Sequence, residues 1–263
     1  MKFRFGFIGC GNMGGIILDT VLKSAKGSEI CACDSNKEKT DRVAPFGVSA
    51  VTIKEAASSS KYLFIGVKPQ TYKAVFDEIK DCINPETVIV SMAAGKEIFT
   101  IERLAGEDKK IIRIMPNTAA AVGEGVILYC ANENVTEEEL SQVAAALFPA
   151  GLVDKIEESK IDAAAALSGC GPAFVDLFVE ALADGAVSCG LSRDKAVLYA
   201  ARTVSGAAKT VYATGRNPAE LKDAVCSPGG TTIQGVRALE KGGFRSATME
   251  AVIAAYNKTK DLM

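Results

Sequence analysis

Gly9, Gly11 and Gly14 form the spacing G-x-G-x-x-G directly after the apolar run Phe3-Arg4-Phe5-Gly6-Phe7-Ile8, and a helix-like segment opens at Met13. As a bare string this pattern is weak. At the junction of a strand and a helix it has a mechanism: Gly9 permits a tight turn, Gly11 lets the backbone approach a pyrophosphate, and Gly14 lets helix and strand pack closely. The anion then meets unpaired helix N–H groups. Gly9, Cys10, Gly11, Asn12, Met13 and Gly14 are therefore candidate contacts to a dinucleotide. Asp34 closes the second strand, where a carboxylate can accept adenosine ribose hydroxyls. Ser35, Asn36 and Lys37 follow with donors that would surround a 2'-phosphate if Asp34 pointed away, so the spacing leaves NADH and NADPH both open.

Three more segments fall at carboxyl ends of expected strands, where an open parallel sheet presents its ligand crevice. They are Val67-Lys68-Pro69-Gln70, Ser91-Met92-Ala93-Ala94-Gly95 and Met115-Pro116-Asn117-Thr118. Val67, Lys68, Pro69, Ala93 and Asn117 are the candidates for contact with the cofactor, against a plain reading as turn residues. Lys68 is read as a positioning charge rather than an acid. Later in the chain, Ser227-Pro228-Gly229-Gly230-Thr231-Thr232 precedes a helical pattern. Its N–H groups and two threonine hydroxyls suit a carboxylate, so Ser227, Gly229, Gly230, Thr231 and Thr232 are candidate substrate contacts.

The elements that must position these residues divide into two sets. Strands are expected at residues 3–8, 29–33, 62–67, 87–92 and 110–115, with edge strands at 125–130 and 152–156 and a helix at 136–148. Their alternation with longer mixed segments is the rhythm of a mostly parallel sheet with crossover helices. From residue 159 the strand signals nearly vanish, and helical spacing covers 163–167, 174–187, 195–211, 233–241 and 247–262. The fold class is α/β, with a dinucleotide-binding domain over residues 1–157 and an all-helical domain over 158–263. So many helical positions in the second half are Ala, Gly or Ser that a lone bundle would expose apolar surface, and a homodimer through that half is expected.

Composition excludes several classes. The 263 residues contain no histidine, which removes imidazole bases, Ser/His/Asp triads and histidine metal sites. The eight cysteines are scattered over a chain too large to need staples, and no metal site is expected. A net charge of −2 argues against nucleic acid. With no charged leader and no uninterrupted apolar run of membrane-spanning length read from the sequence, a cytoplasmic chain without a membrane partner is expected.

Together these residues resemble the pyrroline-5-carboxylate reductase family. The resemblance rests on residues 7–14 (Phe-Ile-Gly-Cys-Gly-Asn-Met-Gly), Val67-Lys68-Pro69-Gln70, Arg113-Ile114-Met115-Pro116-Asn117-Thr118, Ser168-Gly169-Cys170-Gly171-Pro172-Ala173 and Ser227-Pro228-Gly229-Gly230-Thr231-Thr232-Ile233. It spans practically the whole chain. It implies a Rossmann-type domain followed by a helical dimerisation domain, with dimers in some members assembled further into rings such as a decamer. It also implies NAD(P)H-dependent reduction of the cyclic imine (S)-1-pyrroline-5-carboxylate to L-proline. Ser227 to Thr232 would hold the substrate carboxylate, Thr232 would lie near the ring nitrogen as the catalytic hydrogen-bonding group, and Lys68, Pro69 and Asn117 would lie near the nicotinamide. Cys170 stands where the family commonly has Ser.

The chemistry is compatible with a chain lacking histidine. A protonated imine carbon is already electrophilic, so no residue has to stabilise an alkoxide, and the cofactor carries the hard step. β-Hydroxyacid dehydrogenases share the two-part architecture but need lysine in a Gly-x-x-x-Lys setting; here Gly169 and Gly171 are followed by Pro172, Ala173 and Phe174, with no lysine before Lys195. A non-catalytic nucleotide-binding regulator would give no reason for the second glycine-rich anion loop.

Overall fold

The structure, a computed structural model, describes residues 1–260. Strands β1 (Phe3–Ile8), β2 (Ile30–Cys33), β3 (Ser49–Ala50), β4 (Ser60–Ile65), β5 (Val88–Ser91), β6 (Lys110–Met115), β7 (Gly125–Ala131) and β8 (Gly151–Lys155) form one sheet in the order β3-β2-β1-β4-β5-β6-β7-β8. The first six run parallel; β7 is antiparallel to β6, and β8 is parallel to β7. Helices α1 (Asn12–Leu22), α2 (Lys37–Asp41), α3 (Ile53–Ser59), α4 (Tyr72–Ile79), α5 (Ile98–Ala105) and α6 (Glu137–Leu147) connect these strands. The order reverses beside β1, so the next strand after β3 returns to the other side of β1, which makes the β1/β4 gap the ligand crevice of a doubly wound sheet.

Both faces of the sheet are covered, and its strands are apolar almost continuously, as burial on two sides requires. Phe5, Phe7, Tyr62 and Phe64 fill one face, with the Phe7 and Phe64 rings stacked at 4.7 Å. Leu63, Ile65, Tyr72, Phe76 and Ile89 fill the other. Each such side chain removed from water is worth about 1.5–3 kcal/mol, enough to hold the central register against slippage.

Helix α7 (Glu158–Ser168) leads into α8 (Gly171–Ser188), α9 (Arg193–Thr214), α10 (Pro218–Ala224), α11 (Thr231–Lys241) and α12 (Phe244–Lys260). Contacts divide the described residues into one compact unit of residues 1–169 with 256–260 and another of residues 170–255. The second unit has a thin interior: its buried apolar residues are Ala183, Ala196 and Ala200. Leu177, Leu198, Tyr212 and Met249 remain outside at 67, 57, 81 and 63% exposure.

Several expectations need adjustment. β4 stops at Ile65 instead of residue 67, because Gly66 turns the chain and Pro69 starts a 3-10 turn. The two-residue β3 and the short α10 carry too little periodicity to be seen in sequence. The Gly/Pro knot at residues 168–173 is a helix-to-helix joint, with Pro172 in the first turn of α8, where its missing N–H is harmless. The stretch Glu158–Ser188 is long and apolar enough by composition to cross a membrane, although Asp162, Asp176, Glu180 and Asp184 interrupt it, so it is not an uninterrupted apolar run. The joint at Gly169 and Cys170 divides that stretch into α7 and α8. The last expected helix reaches Lys260, and residues 261–262 of that expectation lie outside the described residues.

Candidate active site

The parallel register places Ile8 opposite both Cys33 and Ile65, so three strand ends finish level and the residues that follow them converge. Those residues are Gly9, Asp34 and Gly66. Gly9 N–H donates to the Cys33 carbonyl at 2.8 Å, and Gly66 N–H donates to the Ile8 carbonyl at 2.8 Å. Gly9 has φ +88°, the left-handed region that favours glycine, and a Cβ there would lie 2.7 Å from Val67 Cγ1. A Cβ on Gly14 would collide with the Gly9 carbonyl. Gly66 is a fourth member of the turn that sequence reasoning missed: its Cβ would come within 2.5 Å of the Gly9 oxygen and 3.0 Å of Gly14 Cα. Its signal was present, as a glycine immediately after an apolar strand.

Gly11 differs from these three. Within 4 Å of its missing Cβ lies only Lys39 Nζ, at 3.9 Å, so the space is open. It caps α1 without a side-chain bond to the first-turn N–H groups. Close packing at Gly9 and Gly14 with free volume at Gly11 is what a bound pyrophosphate needs, and the residues present fit a dinucleotide. Neighbouring Cys10 is no nucleophile: burial first, and then the Asp34 charge, push its thiol up to about 12.

Asp34 faces inward. Its carboxylate accepts Cys10 N–H at 2.7 Å, Asn36 N–H at 2.9 Å and Lys39 Nζ at 3.2 and 3.3 Å. Burial opposes its charge, but these hydrogen bonds and the ammonium outweigh it and hold the acid below its ordinary range. Ser35, Asn36 and Lys37 are exposed. Asn36 is turned to local use, its side chain accepting Glu38 N–H to cap α2. Asp34, Ser35 and Lys37, with Thr40, Val51 and Glu55, line a cleft of about 350 Å³ at this end of the sheet.

On the other side of the crevice, Val67, Lys68 and Pro69 sit on a loop closed by hydrogen bonds. Tyr72 OH donates to the Ile65 carbonyl at 2.9 Å and meets Ser91 Oγ at 3.0 Å, while Ala93 N–H reaches Ser91 Oγ at 3.5 Å. With Tyr72 donating to the carbonyl, Ser91 donates to Tyr72 and accepts from Ala93, a single directed chain that ties the Ala93 segment to the end of β4. Lys68 is exposed and Ala93 buried. Asn117 is 7% exposed and uses its amide for bracing: Nδ2 donates to the Ser168 carbonyl at 2.8 Å, and Oδ1 accepts Val126 N–H at 3.1 Å. Arg113, fully buried on β6, pairs with Glu158 at 3.2 Å and Asp162 at 2.8 Å, fixing the start of α7 as Asn117 fixes its end.

In the helical unit, Gly230 N–H donates to the Ser227 carbonyl at 3.0 Å, closing a turn with Pro228 and Gly229 at its centre. Gly229 has φ +69°, the conformation that a proline-glycine turn of this kind demands. Gly230 then caps α11 with no side-chain bond, and a Cβ on it would strike Ser227 Oγ. Thr231 and Thr232 occupy the first turn, exposed. Backbone donors, the positive end of a helix of eleven residues and hydroxyls therefore share one place, able to take a carboxylate.

Similarity to known proteins agrees with this geometry. Residues 158–262 match the family described as pyrroline-5-carboxylate reductase dimerisation, and residues 4–95 match NADP oxidoreductase coenzyme F420-dependent. Pyrroline-5-carboxylate reductase of Arabidopsis thaliana is 42% identical over 265 residues, covering 99% of this chain and 96% of that one. The chain belongs to the pyrroline-5-carboxylate reductase family. The Escherichia coli pyrroline-5-carboxylate reductase is 40% identical, covering 100% of this chain and 99% of its own. A crystal structure of Plasmodium falciparum pyrroline carboxylate reductase with NADP bound superposes with a TM-score of 0.89 at 32% identity, covering 99% and 98% of the two chains.

Proposed function

We propose that this family member reduces the imine bond of (S)-1-pyrroline-5-carboxylate to give L-proline, the final step of proline biosynthesis, using NADPH or NADH. The observation that carries the reading is the second cradle, the Ser227–Gly230 turn at the head of α11, for which a protein that only bound nucleotide would have no use. The glycine loop, Gly9 to Gly14, holds the pyrophosphate on the α1 N-terminus. Asp34 with Ser35, Asn36 and Lys37 forms the adenosine end, and Val67, Lys68, Pro69, Ala93 and Asn117 form or brace the nicotinamide end. When bound, the reduced nicotinamide supplies the hydride.

The chain's own residues orient the reactants. Ser227, Gly229, Gly230, Thr231 and Thr232 fix the substrate carboxylate, and the Thr232 hydroxyl hydrogen-bonds the ring nitrogen. A neutral hydroxyl positions that nitrogen without serving as its proton source, since the substrate enters already protonated or draws on water. The family's dimerisation region begins at residue 158, which supports a functional division of residues 1–157 for nucleotide and 158–263 for assembly and substrate, with α7 packed on the sheet as a connector. A homodimer, with a decamer as its higher assembly, would cover the exposed apolar side chains of the helical unit, and the cytoplasm supplies both substrates. Loss of dihydronicotinamide absorbance matched by proline formation tests the reading. Cofactor binding without turnover of the imine acid would overturn it.

A further inference from the structure

Sequence spacing assigns the adenosine end to Asp34 and to the donors Ser35, Asn36 and Lys37, but the side chain nearest the open space at Gly11 belongs to Lys39. Its ammonium is 3.2 Å from Asp34 Oδ1 and 3.9 Å from the point where a Gly11 Cβ would stand, and the side chain is 40% exposed while that of Asp34 is 6% exposed. We propose that Lys39 is the residue that decides whether this site accepts a 2'-phosphate, by neutralising Asp34 and presenting the remaining donors of its ammonium to the anion. The proposal rests on the nucleotide-dependent reductase reading and deepens it.

A carboxylate at the end of β2 accepts ribose hydroxyls and repels a 2'-phosphate. Here the carboxylate cannot be turned away, since Cys10 N–H at 2.7 Å and Asn36 N–H at 2.9 Å hold both its oxygens. Its charge is instead cancelled by Lys39, which contacts both oxygens. An ammonium has three donors, so contact with Asp34 leaves capacity for a phosphate oxygen on the exposed side. Of the two other cations of this segment, Arg42 is already committed, its Nη1 making bonds of 3.0 and 2.9 Å to both oxygens of Asp19. Lys37, exposed, lines the cleft with Asp34 and Ser35, whereas Lys39 is the cation whose ammonium lies against the Gly11 position. Lys39 is thus the cation beside the glycine loop with room for a second anion, and the Asp34–Lys39 pair as a unit is close to neutral. Such a site binds both forms of the dinucleotide; without Lys39 it becomes a bare carboxylate and keeps only the form lacking the phosphate.

The test uses the whole protein and two fragments that probe the adenosine end alone, 2',5'-ADP and 5'-AMP, titrated by calorimetry. In Lys39→Met the preference for 2',5'-ADP over 5'-AMP is expected to fall by about tenfold or more, the size of one lost charge contact in a partly exposed site. The double variant Asp34→Asn with Lys39→Met is expected to recover part of that preference, because the uncompensated carboxylate is gone. An unchanged preference in Lys39→Met, or an equal loss for both fragments, would overturn the proposal and place Lys39 on the pyrophosphate or in a purely structural role. Failure of the unaltered protein to bind either fragment or either dinucleotide would instead overturn the reductase reading itself.

Discussion

At the scale of single residues, the glycines of the first turn separate into those that make the fold and one that makes room. Gly14→Ala drives a Cβ into the Gly9 carbonyl, so it is expected to lower stability by about 2 kcal/mol or more and to weaken NADPH binding together. Gly11→Ala meets open space and ordinary φ, so the melting temperature should stay nearly constant while NADPH affinity falls at least about tenfold. Thermal melts beside fluorescence titrations check the pair; equal effects from the two variants would contradict the division. Thr232→Val is expected to cut kcat/KM by about ten- to a hundredfold, with Thr232→Ser restoring most of it, if a hydroxyl on the ring nitrogen is what matters. Gly11 and Gly14 were readable in the sequence because the strand before them and the helix after them define where they stand. Tyr72, Lys39 and Arg113 were not. The Arg113 partner Asp162 is 49 positions away, and nothing local to β6 announces that its arginine will be buried.

At the scale of elements, the opposite end of the sheet from the crevice is held by charge. Glu139, in the first turn of α6, closes a reciprocal cap with Thr136 and also receives Lys61 at 2.6 Å and Lys110 at 2.9 Å. Burial would raise its pKa, but hydrogen bonds from both lysines and from Thr136 outweigh that and hold it at about 2, against an ordinary 4.5. A depressed carboxyl stabilises the fold fully above its unfolded value and loses that contribution as pH falls toward the folded value. Glu139→Gln is therefore expected to cost about 2 kcal/mol near neutrality, and the gap between the two proteins should close between about pH 4.5 and 2. Urea melts across that range would show it, and a gap independent of pH would assign the loss to packing. The helix itself was legible, expected over 136–148. Its coupling to Lys61 and Lys110 was not, because β4 and β6 supply those lysines from distant sequence. Tyr72 is the matching device at the crevice end. Tyr72→Phe removes the shorter of the two hydrogen bonds to the Ile65 carbonyl, leaving Met92 N–H at 3.4 Å, and is expected to raise KM for NADPH severalfold more than it lowers kcat, in steady-state assays.

At the scale of the whole molecule, the two halves meet the solvent on different terms. The nucleotide unit buries aromatic and branched side chains on both faces of its sheet, whereas the helical unit closes over little more than alanine and leaves Leu177, Leu198 and Tyr212 outside. In the proposed dimer these side chains form the interior that the single chain lacks. Leu198→Asp is expected to shift sedimentation toward monomer or aggregate; an unchanged dimer would place the interface elsewhere. The fold class was legible at this scale because sheet and bundle write different periods into the sequence, yet the helix ends drifted where alanine-rich segments carry little contrast. That thin interior also makes maturation a search for a partner. A newly made chain would complete its nucleotide fold alone, then wait to meet another copy before its helices had a core, so activity regained after dilution from denaturant would follow a second-order lag that shortens as subunit concentration rises.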